Sequence, residues 1–396
     1  MEDGAADAGS ADEDATKGRG EVTEGSVFGA ALLFAGTAIG AGMLALPAET
    51  ASAGFAPSEA ALLFCWMFTL VSSLFTLEAV WFISADDKAS ADGSFLTMSQ
   101  ASLGPVGEAC TATIFWFLLT AICVAYIAEG GHLLAAGARA AGLASCPDQA
   151  GSVAFVSVFA AFAVAGTSLL CLARVVFQTA RSLTCWMCGV NPSVDVSLLA
   201  RADWTEVWPK GISIGVLSFG AQNIVPTLFS YLGRDPLRTR EAVLLGTCFP
   251  LAIYSIWELV CSLLQCCVCS VVPHHSVEFL KVLAGGVGQL GGVVSAFSVF
   301  AIASSMAGAS VSFVDFWQDG LTSLGLFKGG RVVAAAAALV PALLFATASE
   351  DAFLSALETA GVLFGVSLYG VLPSLMVWRL RAASASEVSL EWPVTS

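Results

Sequence analysis

Apolar residues in this chain gather into long runs, bounded by glycine, proline and charged positions, along nearly its whole length. A helix of about 20 such residues crosses the roughly 30 Å hydrocarbon core of a bilayer. Ten runs meet or approach that length: 26–47, 59–84, 108–137, 152–173, 174–190, 209–232, 241–272, 286–317, 332–348 and 352–378. The pattern predicts an all-α, multi-pass integral membrane protein with about ten transmembrane helices. The fifth run is short and carries Gln178 and Arg181, so hydropathy alone leaves it undecided.

Charge asymmetry favours a fifth crossing. With a cytoplasmic N-terminus and ten crossings, the cytoplasmic loops hold Lys88, Arg174, Arg234, Arg238, Arg240, Lys328, Arg331, Arg379 and Arg381. The outer loops hold only Arg139, Arg201, Lys210 and Lys281. That is the positive-inside bias, and deleting the fifth crossing would reverse every later segment.

Two of the runs are interrupted in the middle. The first contains Gly36-Thr37-Ala38-Ile39-Gly40-Ala41-Gly42 before Pro47, and the sixth contains Ser218-Phe219-Gly220-Ala221-Gln222-Asn223 before Pro226. Glycine costs a helix about 1 kcal/mol relative to alanine, so three in seven residues need a reason beyond lipid contact. Close packing through small residues is one such reason. The other is a broken helix, whose freed backbone is tolerated at bilayer depth only where protein or a water-filled cavity satisfies it. Paired breaks in the two halves of a transporter place half-helix ends against a charged substrate. The pair therefore predicts a binding site.

Composition agrees with a membrane setting: 57% of the 396 residues are hydrophobic and 12% are charged. Much of the net charge of −15 sits in residues 1–25, which hold eight acidic and two basic residues and are read as a disordered cytoplasmic tail. It lacks the basic start and apolar core of a cleaved signal, so the first span is expected to direct insertion. Residues 26–381 form the expected membrane domain, in halves of roughly 26–190 and 209–381, and 382–396 a polar tail. Most of the twelve cysteines lie in apolar runs, where cysteine packs as a small hydrophobe. Neither the Cys185/Cys188 pair nor the cluster of Cys266, Cys267, Cys269, His274 and His275 shows the two spaced ligand pairs of a zinc site. No metal or cofactor is expected. The chain has no phosphate-binding P-loop and no HExxH string, which argues against an ATP-driven pump and a zinc hydrolase. No repeated filter or ring of charge marks it as a channel. Nucleic acid is not an expected partner.

Four separated stretches give the chain a resemblance. AGTAIGAGMLALPAETASAGFAPS (35–58), SFGAQNIVPTLFSYLG (218–233), FAIASSMAGASVSFVDFWQDGL (300–321) and ALETAGVLFGVSLYGVLPSLMVWRLR (356–381) resemble the aromatic amino-acid permeases, the tyrosine- and tryptophan-specific transporters. The resemblance implies a five-plus-five inverted repeat of the leucine-transporter type with broken first and sixth helices. It also implies symport of a neutral aromatic amino acid with a cation, usually a proton, sodium being the alternative. Onto this chain it carries the substrate-binding positions Gly36, Thr37, Ile39, Gly40 and Gly42 in the first break and Ser218, Phe219, Gly220 and Asn223 in the second. It carries Ser304 and Ser305 over as a wall of the eighth span, where two hydroxyls would suit an oxygen-liganded cation. The chain departs from many members in having Ala221 and Gln222 where they have a bulky aromatic and a histidine, and in lacking an eleventh span. Neither break carries Lys, Arg, Asp or Glu, so the cargo's side chain is expected to be neutral.

Ionisable residues inside spans are the remaining candidates, because a charge at bilayer depth is costly and faces a cavity or a partner. Glu78, Arg181 and Asp315 lie near span ends, whereas Glu129, Glu258 and Glu358 lie deeper and are candidates for ion coupling.

Overall fold

The computed structural model describes residues 25–40, 42–50, 52–85, 95–140, 148–165, 202–268, 289–323, 330–348 and 352–384. The expected fifth span, Arg181, the Cys185/Cys188 pair and the His274/His275 end of the cysteine cluster lie outside these residues. The described elements are helical throughout: α1 Val27–Ala38, α2 Gly42–Thr50, α3 Phe55–Ala85, α4 Phe95–Ala140 and α5 Asp148–Ala165. After these come α6 Lys210–Ser218, a 3₁₀ turn Gln222–Ile224, α7 Val225–Tyr231, α8 Pro236–Val268, α9 Gln289–Ser323 and α10 Arg331–Ala348. The last rod is α11 Ala352–Thr359, two π-helical stretches at Ala360–Gly365 and Ser367–Val371, and α12 Leu372–Ser384.

Six helical stretches among the described residues are long and apolar enough to cross a membrane: Phe55–Ala85, Phe95–Ala135, Lys210–Tyr231, Pro236–Leu259, Arg331–Ala348 and Ser355–Ala383. Helices α1/α2, α5 and α9 fall on three more of the expected runs. Large apolar side chains such as Phe64, Leu344, Phe345 and Trp378 are exposed on the outside of the bundle. Such a surface suits contact with lipid.

The third expected span begins earlier in the structure than its apolar run. Helix α4 starts at Phe95, and its regular backbone is interrupted at Gly104, where φ is 77° and ψ is −170°. Only glycine tolerates that angle cheaply, and Pro105 then restarts a helix. The leading piece is a short polar-rich helix that buries Phe95 and Met98 against the end of the bundle. At its other end α4 crosses α5 through glycine. A Cβ on Gly151 would lie 2.2 Å from the carbonyl oxygen of Gly131, so the two backbones touch directly.

Helices α1 and α2 run antiparallel to α6 and α7, and the two pairs are tied at both ends. At one end the Gly25 amide donates to the Tyr231 carbonyl at 3.1 Å, and Arg238 donates to the Gly25 carbonyl at 2.7 Å. At the other end Asp203 donates its amide to Ala53 at 2.8 Å, and Gly211 packs against the methyl of Thr50. Helix α8 packs along α1 and α3, and α4 packs on α9, α10 and α11. Glu78 on α3 and Arg381 on α12 form a two-pronged ion pair at 2.6 and 2.7 Å. Asp315 and Arg331 pair at 2.8 Å between α9 and α10.

Candidate functional site

Both expected interruptions are present, and they face each other. Ser26 caps α1 by accepting from the Gly29 amide at 3.0 Å, and the helix stops where Ile39 turns to extended backbone, with φ −72° and ψ 106°. Helix α2 begins at Gly42. The second interruption runs from Phe219 through Ala221, between the last residue of α6 and the 3₁₀ turn that leads into α7. A Cβ on Gly42 would lie 2.7 Å from Ser218 Oγ and 3.2 Å from Ser218 Cα, so the two breaks touch. On the other side of the first break, a Cβ on Gly40 would lie 2.4 Å from Ser305 Oγ.

Tyr254 on α8 binds both breaks at once. Its hydroxyl lies 2.8 Å from the Ala38 carbonyl oxygen and 2.9 Å from that of Ser218, the last residues of α1 and α6. These are helix-end carbonyls with no intrahelical partner. A phenol has a single hydrogen and donates to one of them at a time. Its ring meets Phe219 edge-on with centroids 5.0 Å apart. Tyr126 on α4 is hydrogen-bonded to Ser305, and a Cβ on Gly220 would lie 3.0 Å from the ring of Tyr369. Three of the chain's four tyrosines therefore converge on the breaks. The sequence reading missed all three, although a tyrosine in an apolar run is itself a signal, since a buried phenol hydroxyl needs a partner.

The structure divides the expected site positions between the breaks and their surroundings. Gly36 and Thr37 still belong to α1, and Thr37 is exposed with its hydroxyl donated to the Leu33 carbonyl of its own helix at 2.9 Å. Hydroxyls in helix interiors commonly bond back in this way, and here that turns Thr37 from the second break. Asn223 is exposed, while its neighbour Gln222 is fully buried. Of the serine pair, Ser304 donates back to Ala301 at 3.0 Å, and Ser305 is the one beside Gly40. Ile39, Gly40, Gly42, Ser218, Phe219 and Gly220 lie at the two breaks.

The three deep carboxylates separate as well. Glu258 is buried on α8 one turn from Tyr254 and accepts from Thr50 Oγ1, at the end of α2, at 3.0 and 3.2 Å. Beside it Glu59 on α3, which the sequence reading did not single out, accepts from Ser255 at 2.9 Å. Glu129 is buried on α4, one turn from Tyr126. At Glu358 it is the backbone carbonyl that is engaged, accepting from Ser213 Oγ at 2.5 Å. There the wider π-helical turn begins, and a Cβ on Gly361 would lie 2.0 Å from the Ser213 carbonyl oxygen. The string Gly211-Ile212-Ser213-Ile214-Gly215 has the GxSxG spacing of a hydrolase nucleophile, but it lies within α6, and among the described residues no strand leads into it.

Apolar spanning helices and an apolar exterior define a multi-pass integral membrane protein, and two helix breaks touch inside it. The model of the tryptophan/tyrosine permease family matches residues 23–393, and the chain belongs to that family. The chain is 30% identical over 382 residues to the tyrosine-specific transport system 2 of Haemophilus influenzae, covering 89% of this chain and 88% of that protein. It is 26% identical over 393 residues to a tryptophan-specific transport protein of Pseudomonas aeruginosa, covering 93% and 89%. It is also 26% identical over 372 residues to the glutamine transporter 2 of Aliivibrio fischeri, covering 91% of each.

Proposed function

We propose that the chain is a secondary transporter of aromatic amino acids, tyrosine or tryptophan, held between the two breaks and driven by a cation. The observation that carries this reading is the Tyr254 hydroxyl between the helix-end carbonyls of Ala38 and Ser218. Because that hydroxyl satisfies one carbonyl at a time, the other stays open to a donor such as a substrate ammonium. The amides that open α2 are the matching place for the carboxylate. The antiparallel course of α1/α2 against α6/α7 supports a five-plus-five inverted repeat with ten spans. Relatives named as tyrosine- and tryptophan-specific transporters support the aromatic cargo.

For the coupling ion, Glu258 supports a proton. It stands one turn from the tyrosine that holds the breaks and touches the end of α2. An ionised carboxylate cut off from water is costly, so the closed form carries the proton, and releasing it requires the site to open. Sodium is the second reading, favoured by the Ser305 hydroxyl beside the first break. Vesicles reconstituted with the protein should accumulate labelled tyrosine or tryptophan under an acid-outside gradient without sodium. Glu258→Gln should keep substrate exchange and lose that accumulation. Accumulation that needs sodium and ignores the pH gradient would replace the proton with sodium, and uptake of neither amino acid would end the aromatic reading.

A further inference from the structure

Gln222 is fully buried, yet neither its amide nitrogen nor its carbonyl oxygen has a hydrogen-bond partner. Leaving one such group unmet costs about 1–3 kcal/mol, and a native fold rarely leaves both ends of one carboxamide so. It does not stand alone. Ser218, four residues earlier across the same break, is 3% exposed, and its hydroxyl is also unmet.

Helix α3 packs against the 3₁₀ turn that begins with Gln222. On that helix Thr69 and Ser73 are each 0% exposed, and their hydroxyls too lack partners. Cys65 marks the level of α3 against α6, donating to the Ile212 carbonyl and meeting Gly215. The two helices run in the same direction, and four residues advance a helix by about 6 Å. Thr69 and Ser73 therefore stand progressively further along, toward the level of the second break. Four fully or almost fully buried polar side chains with nothing to bond are thus gathered on the segments that meet at that break. The rest of the setting is apolar. Ala221, the residue before Gln222, packs in a cluster with Phe68, Phe115 and Tyr369.

We infer that Gln222 reads the cargo's side chain, and that the group it takes is one that both donates and accepts a hydrogen bond, the phenol hydroxyl of tyrosine. This rests on the aromatic amino-acid reading and assigns its specificity to one residue. The phenol donates to Gln222 Oε1 and accepts from Nε2, so both ends of the carboxamide are met. An indole N–H meets only the oxygen. A phenylalanine ring meets neither, and binding it seals both groups away from water. The order that follows is tyrosine, then tryptophan, then phenylalanine. A site built around a hydrogen bond rejects the analogue that lacks it more strongly than an apolar pocket rejects one methylene.

The test is displacement of labelled tyrosine from the purified full-length protein by unlabelled tyrosine, tryptophan and phenylalanine, for wild type and Gln222→Met. In wild type, phenylalanine should bind at least about tenfold more weakly than tyrosine. In Gln222→Met, an apolar side chain of similar length, the gap should narrow to about threefold or less through weaker tyrosine binding. Wild type that binds phenylalanine as tightly as tyrosine overturns the inference whether or not the variant folds. A variant that keeps the full gap overturns it as well. Wild type that binds no aromatic amino acid at all overturns the underlying reading instead, and that result is distinct because no gap can be measured.

Discussion

The two helix breaks are built differently. At the first, the backbone is packed until nothing more fits: Gly40 abuts Ser305, Gly42 abuts Ser218, and the hydroxyl of nearby Thr37 is committed to its own helix. At the second, backbone and side chain divide the work. The Ser218 carbonyl is tied to Tyr254, while Ser218 Oγ and both ends of Gln222 are buried without partners. A site for an amino acid has two problems to solve, holding a charged backbone common to every cargo and telling side chains apart. The first break offers only main-chain groups and suits the common part. The second offers side-chain groups and suits the variable part.

The largest expected effect comes from forcing the breaks apart. In Gly42→Ala the new methyl would sit 3.2 Å from Ser218 Cα, a backbone atom that cannot rotate away. Substrate affinity should fall by about five- to a hundredfold, since overpacking of this kind typically costs 1–3 kcal/mol. Gly40→Ala crowds a side-chain atom, the Ser305 hydroxyl, rather than backbone, so its loss should be smaller. Equilibrium binding on monodisperse protein measures both. Equal losses, or a larger one at Gly40, would mean that the first break is not pressed against the second.

Removing the tie is expected to come next. Tyr254→Phe keeps the ring against Phe219 and deletes the hydroxyl that joins Ala38 to Ser218. Losing a buried hydrogen bond and leaving its acceptors unmet costs about 1–3 kcal/mol, so binding should weaken by about tenfold. On the proposed reading the tie serves the common part of the cargo, so the loss should be shared by tyrosine, tryptophan and phenylalanine. A loss confined to tyrosine would place Tyr254 with the side-chain reader and erase the contrast between the breaks.

Both breaks were legible in the sequence because clustered glycine followed by proline weakens a helix locally, an effect that needs no knowledge of neighbours. The positions of Glu78 and Arg381 near span ends were legible for a similar reason, though not that they pair across 303 residues. Tyr254 was not, since its role depends on Ala38, 216 residues away. Glu59 was hidden at the start of a span, where a carboxylate passes for an interfacial one, until α8 brought Ser255 and Glu258 beside it. The early start of α4 was hidden by its polar residues, which mask a helix that lies against the end of the bundle.

The smallest expected effect is also the one that best separates the sequence pattern from the folded structure. By motif, Thr37 and Asn223 belong to the breaks as much as Gly40 and Ser218 do. In the fold Thr37 bonds to Leu33 within α1, and both side chains are exposed. Thr37→Val and Asn223→Ala should therefore change tyrosine affinity by less than about twofold, in line with substitutions away from packed or buried polar features. Valine is a fair probe because it keeps the β-branched shape of threonine and removes only the hydroxyl. Displacement of labelled tyrosine decides the point. A tenfold loss in Thr37→Val would mean that α1 turns about its axis to present this hydroxyl to the cargo. The first break would then read side-chain chemistry too, and the division between the breaks would fail.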